Sequence, residues 1–140
     1  MFRKQPSKPQ NRIDSLIGAG TKIEGNVSFS GGLRVDGEVV GNVTAVSDQP
    51  STLVLSEQAR IQGEISVSHL VVNGEIVGPV YVAEFLELQS RCRVKGDVHY
   101  NTLEMHLGAI VEGQLVHRSG EARPVELKLA TSKPVTGVKT

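Results

Sequence analysis

Apolar residues fall at every second position through Leu33-Arg34-Val35-Asp36-Gly37-Glu38-Val39 and again from Leu70 to Val80. A period of two gives a strand with one buried face, and the period of an amphipathic helix fits neither stretch. One unit, apolar-x-Gly-x-apolar, punctuates the alternation. Its six copies are Ile23–Val27, Val39–Val43, Ile61–Ile65, Ile76–Val80, Val94–Val98 and Val111–Leu115. Their central glycines lie 16, 22, 15, 18 and 17 residues apart, and a leucine series (Leu33, Leu53, Leu70, Leu86, Leu103) keeps the same pace. A repeat of this length predicts a β-solenoid of about six coils, one per repeat, with two or three short strands in each. Stacked coils lie roughly 4.8 Å apart, and the alternate apolar residues share a narrow core. The glycines mark the bends, where dihedrals closed to other residues are needed.

The stacking can be tested on residues not used to align the repeats. The residue before the first apolar position of each unit reads Lys22, Glu38, Arg60, Glu75, Arg93, Ile110. Its sign alternates along five coils, as neighbouring strands favour. The residue before that is small in every copy: Thr21, Gly37, Ala59, Gly74, Cys92, Ala109. Two places break the regularity. The longest step contains the loop around Pro50, and Pro79 lies inside one unit, where a missing N–H predicts a strand that is irregular or solvent-facing.

Composition agrees with many short strands. Valine reaches 20 residues and glycine 15 of 140, aromatics are 4%, and there is no Trp. A single cysteine excludes an internal disulfide framework and fits a reducing compartment. No apolar run approaches the length of a membrane span, and the first ten residues lack the apolar core of a secretory signal. The net charge of zero hides an asymmetry: +4 before Asp14, −7 over residues 14–117, and +3 after His117. The chain therefore divides into a basic tail (1–13), a solenoid (14–117) and a basic, Pro-containing tail (118–140), both tails expected to be disordered.

The glycine-bearing units IEGNV, VDGEVVGNV, ARIQGEI, VNGEIVGPV and RVKGDV, between an MFRK start and a Pro-containing tail, resemble the bactofilins. That resemblance implies an all-β, single-stranded, right-handed β-helix between disordered termini, in a small bacterial cytoskeletal protein. It further implies support of cell shape or placement of envelope-building enzymes at the inner membrane. Proteins that make or cut peptidoglycan are then candidate partners, and the cytoplasm with the inner face of its membrane is the expected location.

Chemistry is sparse. His69, His99, His106 and His117 are scattered, none at ligand spacing from another, so no metal site is expected. His99 and His106 read as outward residues and His117 as an inward one at the end of the core. Cys92 reads as a buried thiol whose neighbours Arg91 and Arg93 point away. No nucleophile elbow or phosphate-binding loop is present, so no catalytic or cofactor residue is assigned. An acidic body with few aromatics argues against nucleic acid. The competing readings are a left-handed hexapeptide-type acyltransferase or carbonic-anhydrase-like enzyme, and a monomeric adaptor. The first needs a period of six and a histidine set, and neither is seen.

Function is expected at the ends of the stack. A first and a last coil without caps leave open strand edges and an exposed core. The N-terminal coil offers Ile17, Ile23, Val27 and Phe29; the C-terminal coil offers Leu103, Met105, Leu107, Val111 and Leu115. These predict end-to-end self-association into filaments without nucleotide. Val125–Leu129 alternates and is the one tail segment able to add a strand over an end. In the N-terminal tail, Phe2 with Arg3, Lys4, Lys8 and Arg12 and no acid predicts contact with an anionic membrane surface.

Overall fold

A computed structural model describes residues 13–46 and 49–118. Sixteen strands follow one another with no helix among the described residues. They are β1 (Ser15–Ile17), β2 (Lys22–Glu24), β3 (Val27–Phe29), β4 (Gly31–Val35), β5 (Glu38–Val40), β6 (Val43–Ala45), β7 (Ser51–Leu55) and β8 (Arg60–Gln62). The second half comprises β9 (Ile65–Val72), β10 (Glu75–Val77), β11 (Val80–Leu88), β12 (Arg93–Lys95), β13 (Val98–Tyr100), β14 (Thr102–Met105), β15 (Ile110–Glu112) and β16 (Leu115–His117). Every pairing between them is parallel, and each joins one coil to the next.

Three faces make a coil. The second face is a separate six-stranded sheet in the order β2-β5-β8-β10-β12-β15. The first and third faces belong to one ten-stranded sheet, because β9 and β11 run through the corner that closes one coil and opens the next. A register shift between Val82 and Phe85 lets β11 take that corner. The structure thus has six coils, as the repeat predicts, with three strands in each.

Register carries each apolar series straight up the stack. Leu33, Leu53, Leu70, Leu86 and Leu103 stand over one another on the first face, beside Ile17, Val35, Leu55, Val72, Leu88 and Met105. The second face contributes Ile23, Val39, Ile61, Ile76, Val94 and Val111; the third contributes Val27, Val43, Ile65, Val80, Val98 and Leu115. In the middle coils these side chains are fully buried. Burying each contributes about 1.5–3 kcal/mol.

The charge column stands as the alternation requires: Lys22 faces Glu38, which faces Arg60, then Glu75, then Arg93, then Ile110. Arg60 reaches Glu38 at 3.7 Å and Glu75 at 3.4 Å. Lys22 instead pairs within its own strand, with Glu24 at 3.4 Å. The small-residue column turns the corner before it. A Cβ on Gly74 would strike the Ser56 and Ala59 carbonyls, and Ala59 and Cys92 are buried.

The central glycines also stack on one another. Gly63 holds φ +153°, and a Cβ there would lie 2.1 Å from the Gly41 carbonyl oxygen. Beside three of them the N–H of the next residue is held by a side chain of the coil before: Asn42 by Asn26 at 2.9 Å, Glu64 by Asn42 at 2.9 Å, Gln114 by Asp97 at 3.0 Å. Glu64 gives no such acceptor to the coil above, and the residue above it is Pro79, which has no N–H to satisfy. Pro79 lies in the corner between β10 and β11, outside any strand, and its carbonyl accepts from the Ile65 N–H at 3.1 Å. The segment with Pro50 joins β6 to β7, and residues 47–48 within it lie outside the described residues. The start of β7 is held by Ser51 and Ser68, each of whose backbone N–H groups donates to the other's hydroxyl, at 2.7 and 3.1 Å.

Candidate functional site

The two ends of the stack differ from its middle in one physical respect: they have a neighbouring coil on one side only. Among the described residues, β1, β2 and β3 pair only with the second coil, and β14, β15 and β16 only with the fifth. The outer backbone groups of these strands form open parallel edges, which are templates for another chain.

The apolar ends are unequal. At the C-terminal end Met105 is 45% exposed and Leu115 41%, each crowning a column whose next member, Leu88 or Val98, is fully buried. Leu103 and Val111 are half-buried beside them. At the N-terminal end Ile23 and Val27 are half-buried, but Ile17 and Phe29 are already buried within the chain. The C-terminal coil is the more open face. Leu107 stands apart from the core columns: β14 ends at Met105, and the chain then turns, with the Ala109 N–H donating to the His106 carbonyl at 3.2 Å. Leu107 at that turn is 95% exposed.

Ile110 is exposed as well, on the outward side of the last coil at the top of the charge column. The switch from charge to isoleucine in the sixth member of that column was the signal for it. Leu16, 60% exposed on the outward side of β1, had no comparable signal.

His117 stands over Tyr100, ring centroids 5.5 Å apart, in the inward register but exposed, with no further coil above it among the described residues. His99 faces outward and stacks on Tyr81 at 4.6 Å. Burial pushes the Cys92 thiol above its ordinary range, against a smaller opposite effect of a backbone hydrogen bond with Ile110. Arg91 turns away from it, to Glu57 at 3.2 Å. His106, read from the sequence as a surface residue, is brought by coil stacking to 3.1 Å from Glu87 and lies 3.1 Å from Glu104 of its own coil. Phe2, Arg3, Lys4, Lys8 and Arg12, like Val125–Leu129, lie outside the described residues.

A parallel β-solenoid whose apolar core surfaces at one end of the described stack is a solenoid repeat protein. Residues 15–116 match the family model for bactofilins, described as polymer-forming cytoskeletal. The chain belongs to the bactofilin family. It is also similar to Bactofilin BacO of Myxococcus xanthus (strain DK1622), with 22% identity over 102 residues, 73% of this chain and 78% of the relative. No solved structure gives a significant match.

Proposed function

We propose that this chain is a non-enzymatic scaffold that assembles end to end into filaments without nucleotide, using the open faces of its first and last coils. The observation that carries this is the C-terminal coil, where Met105 and Leu115 leave the tops of two columns in water, each above a fully buried residue and beside a strand edge unpaired among the described residues. A second chain seated there covers both at once. The family's polymer-forming description supports the same reading.

Filaments made this way repeat the N-terminal tail along their length. Phe2 and the four bases Arg3, Lys4, Lys8 and Arg12 give each tail a weak affinity for an anionic leaflet, about 1 kcal/mol per base. Display of many tails on one polymer multiplies that affinity. On this reading the filament lies at the inner face of the cytoplasmic membrane, where it supports cell shape or holds enzymes that build or cut peptidoglycan.

Negative-stain microscopy of the purified full chain, with and without nucleotide, tests assembly, and Met105→Arg tests the joint. At a covered end the arginine is an unpaired buried charge, costing several kcal/mol. In the free chain its stem covers Leu88 while its head reaches water. Filaments are expected from the wild type in both conditions and not from Met105→Arg, with the β-sheet circular dichroism unchanged. Normal filaments from Met105→Arg would show that the C-terminal end is not a joint.

A further inference from the structure

We propose that Glu87, Glu104 and His106 form a binding site for a divalent transition metal of the zinc class. The outward column of the first face reads Leu16, Arg34, Val54, Val71, Glu87, Glu104. It ends in two carboxylates at directly facing strand positions, an arrangement that repels. The second-face column of the same stack alternates its charges, so the fold does not force like charges together. A cation between them removes the conflict.

The third ligand is already in place. His106 opens the turn after β14, its N–H donating to the Leu88 carbonyl at 2.9 Å. Its Nε2 stands 3.1 Å from Glu87 Oε2 and 3.1 Å from Glu104 Oε2. The Gln89 amide donates to the same Glu87 oxygen at 3.1 Å and steadies it. All three ligand atoms lie within 4.8 Å of one another. Around a tetrahedral zinc ion with bonds of about 2.0–2.2 Å, ligand atoms sit roughly 3.3 Å apart, so the two histidine distances need little change. One imidazole with two carboxylates suits zinc and its first-row neighbours better than calcium or magnesium, which take more oxygen ligands or keep their water. Three protein ligands leave a fourth position open. The ligands come from β11 and from the segment of β14 and its turn, so a bound ion clips the last coil to the fifth.

The test is titration of the full chain with zinc chloride by calorimetry and with cobalt chloride by visible absorption. One saturable ion per chain is expected, with the intense bands of four-coordinate cobalt and a zinc-dependent rise in thermal midpoint. His106→Ala and Glu104→Gln should each weaken zinc binding at least about 10-fold, the least that loss of a supporting contact to a metal site does. His69→Ala should leave it unchanged. His106 and Glu104 are exposed and His69 is partly buried, and circular dichroism verifies that the variants fold. Absence of saturable binding by the wild type would overturn the proposal, leaving a histidine bridged between two carboxylates. So would binding by His106→Ala equal to wild type, or its loss in His69→Ala.

Discussion

Replacing Gly63 with alanine probes the stacking of the coils at its tightest point. The backbone there, at φ +153°, is a region that costs a residue with a Cβ about 1–3 kcal/mol. The added Cβ would also lie 2.1 Å from the carbonyl oxygen and 2.5 Å from the carbonyl carbon of Gly41, where ordinary contact between carbon atoms begins near about 3.5 Å. The third and second coils must part at that corner. Three hydrogen bonds cross it: the Gly41 N–H to the Gln62 carbonyl, the Val43 N–H to the Glu64 carbonyl, and the Glu64 N–H to the Asn42 side chain, each 2.9 Å. Losing two of them at about 0.5–1.5 kcal/mol each, with the backbone cost, gives a destabilisation of about 2–6 kcal/mol. Gly25 is the internal control. It holds the same place in its unit at φ +137°, but nothing lies within 4 Å of an added Cβ, because no coil precedes it among the described residues. Gly25→Ala therefore bears only the backbone cost of about 1–3 kcal/mol. Gly18→Ala, with neither a contact nor a positive φ, should be neutral or stabilise by up to about 1 kcal/mol. Urea unfolding of the full chains, followed by far-ultraviolet circular dichroism at one low concentration, measures all three. Equal losses from Gly63→Ala and Gly25→Ala would refute the account, since only glycine-on-glycine stacking separates them.

Three further outcomes are expected. Arg60→Glu puts carboxylates at Glu38, position 60 and Glu75 in a row, and should lower stability by about 1 kcal/mol at low salt, most of it recovered at high salt because these groups are partly exposed; a loss independent of salt would contradict an electrostatic cause. The Cys92 thiol, buried and shifted upward, should resist alkylation near pH 8 until the chain is unfolded in urea. Because the folded thiol holds its proton longer than the unfolded one, its contribution to stability is present at neutral pH and declines as the pH rises past the ordinary thiol range; rapid labelling of the native chain would argue against a sealed corner. Deleting residues 2–12 should reduce co-sedimentation with anionic liposomes, and the wild-type binding should fall with added salt; unchanged sedimentation would remove the tail from the membrane contact.

Much of the solenoid was legible in one dimension because a stacked coil repeats its physical demands at a fixed interval. Each turn needs inward apolar residues at every second place, a small residue at one corner, a glycine at the next, and a charge opposite to its neighbour's. Leu53, Ala59, Arg60, Ile61 and Gly63 show all of these within one coil, and their positions follow from local steric and electrostatic rules. Six coils and their register could thus be counted from the sequence.

What tertiary structure alone decided lies where the rules stop being local. Whether alternation continues past Met105 depends on where the strand gives way to a turn, and the chain turns there, putting Leu107 out at a corner and away from the core. Whether an end residue is open depends on what packs across the coil, which buries Ile17 and Phe29 and leaves Met105 and Leu115 in water. Glu87 and His106 are 19 residues apart, a separation with no meaning along the chain. One turn of the solenoid and the corner after β14 bring them within 3.1 Å, because vertical stacking makes neighbours of residues roughly one repeat apart.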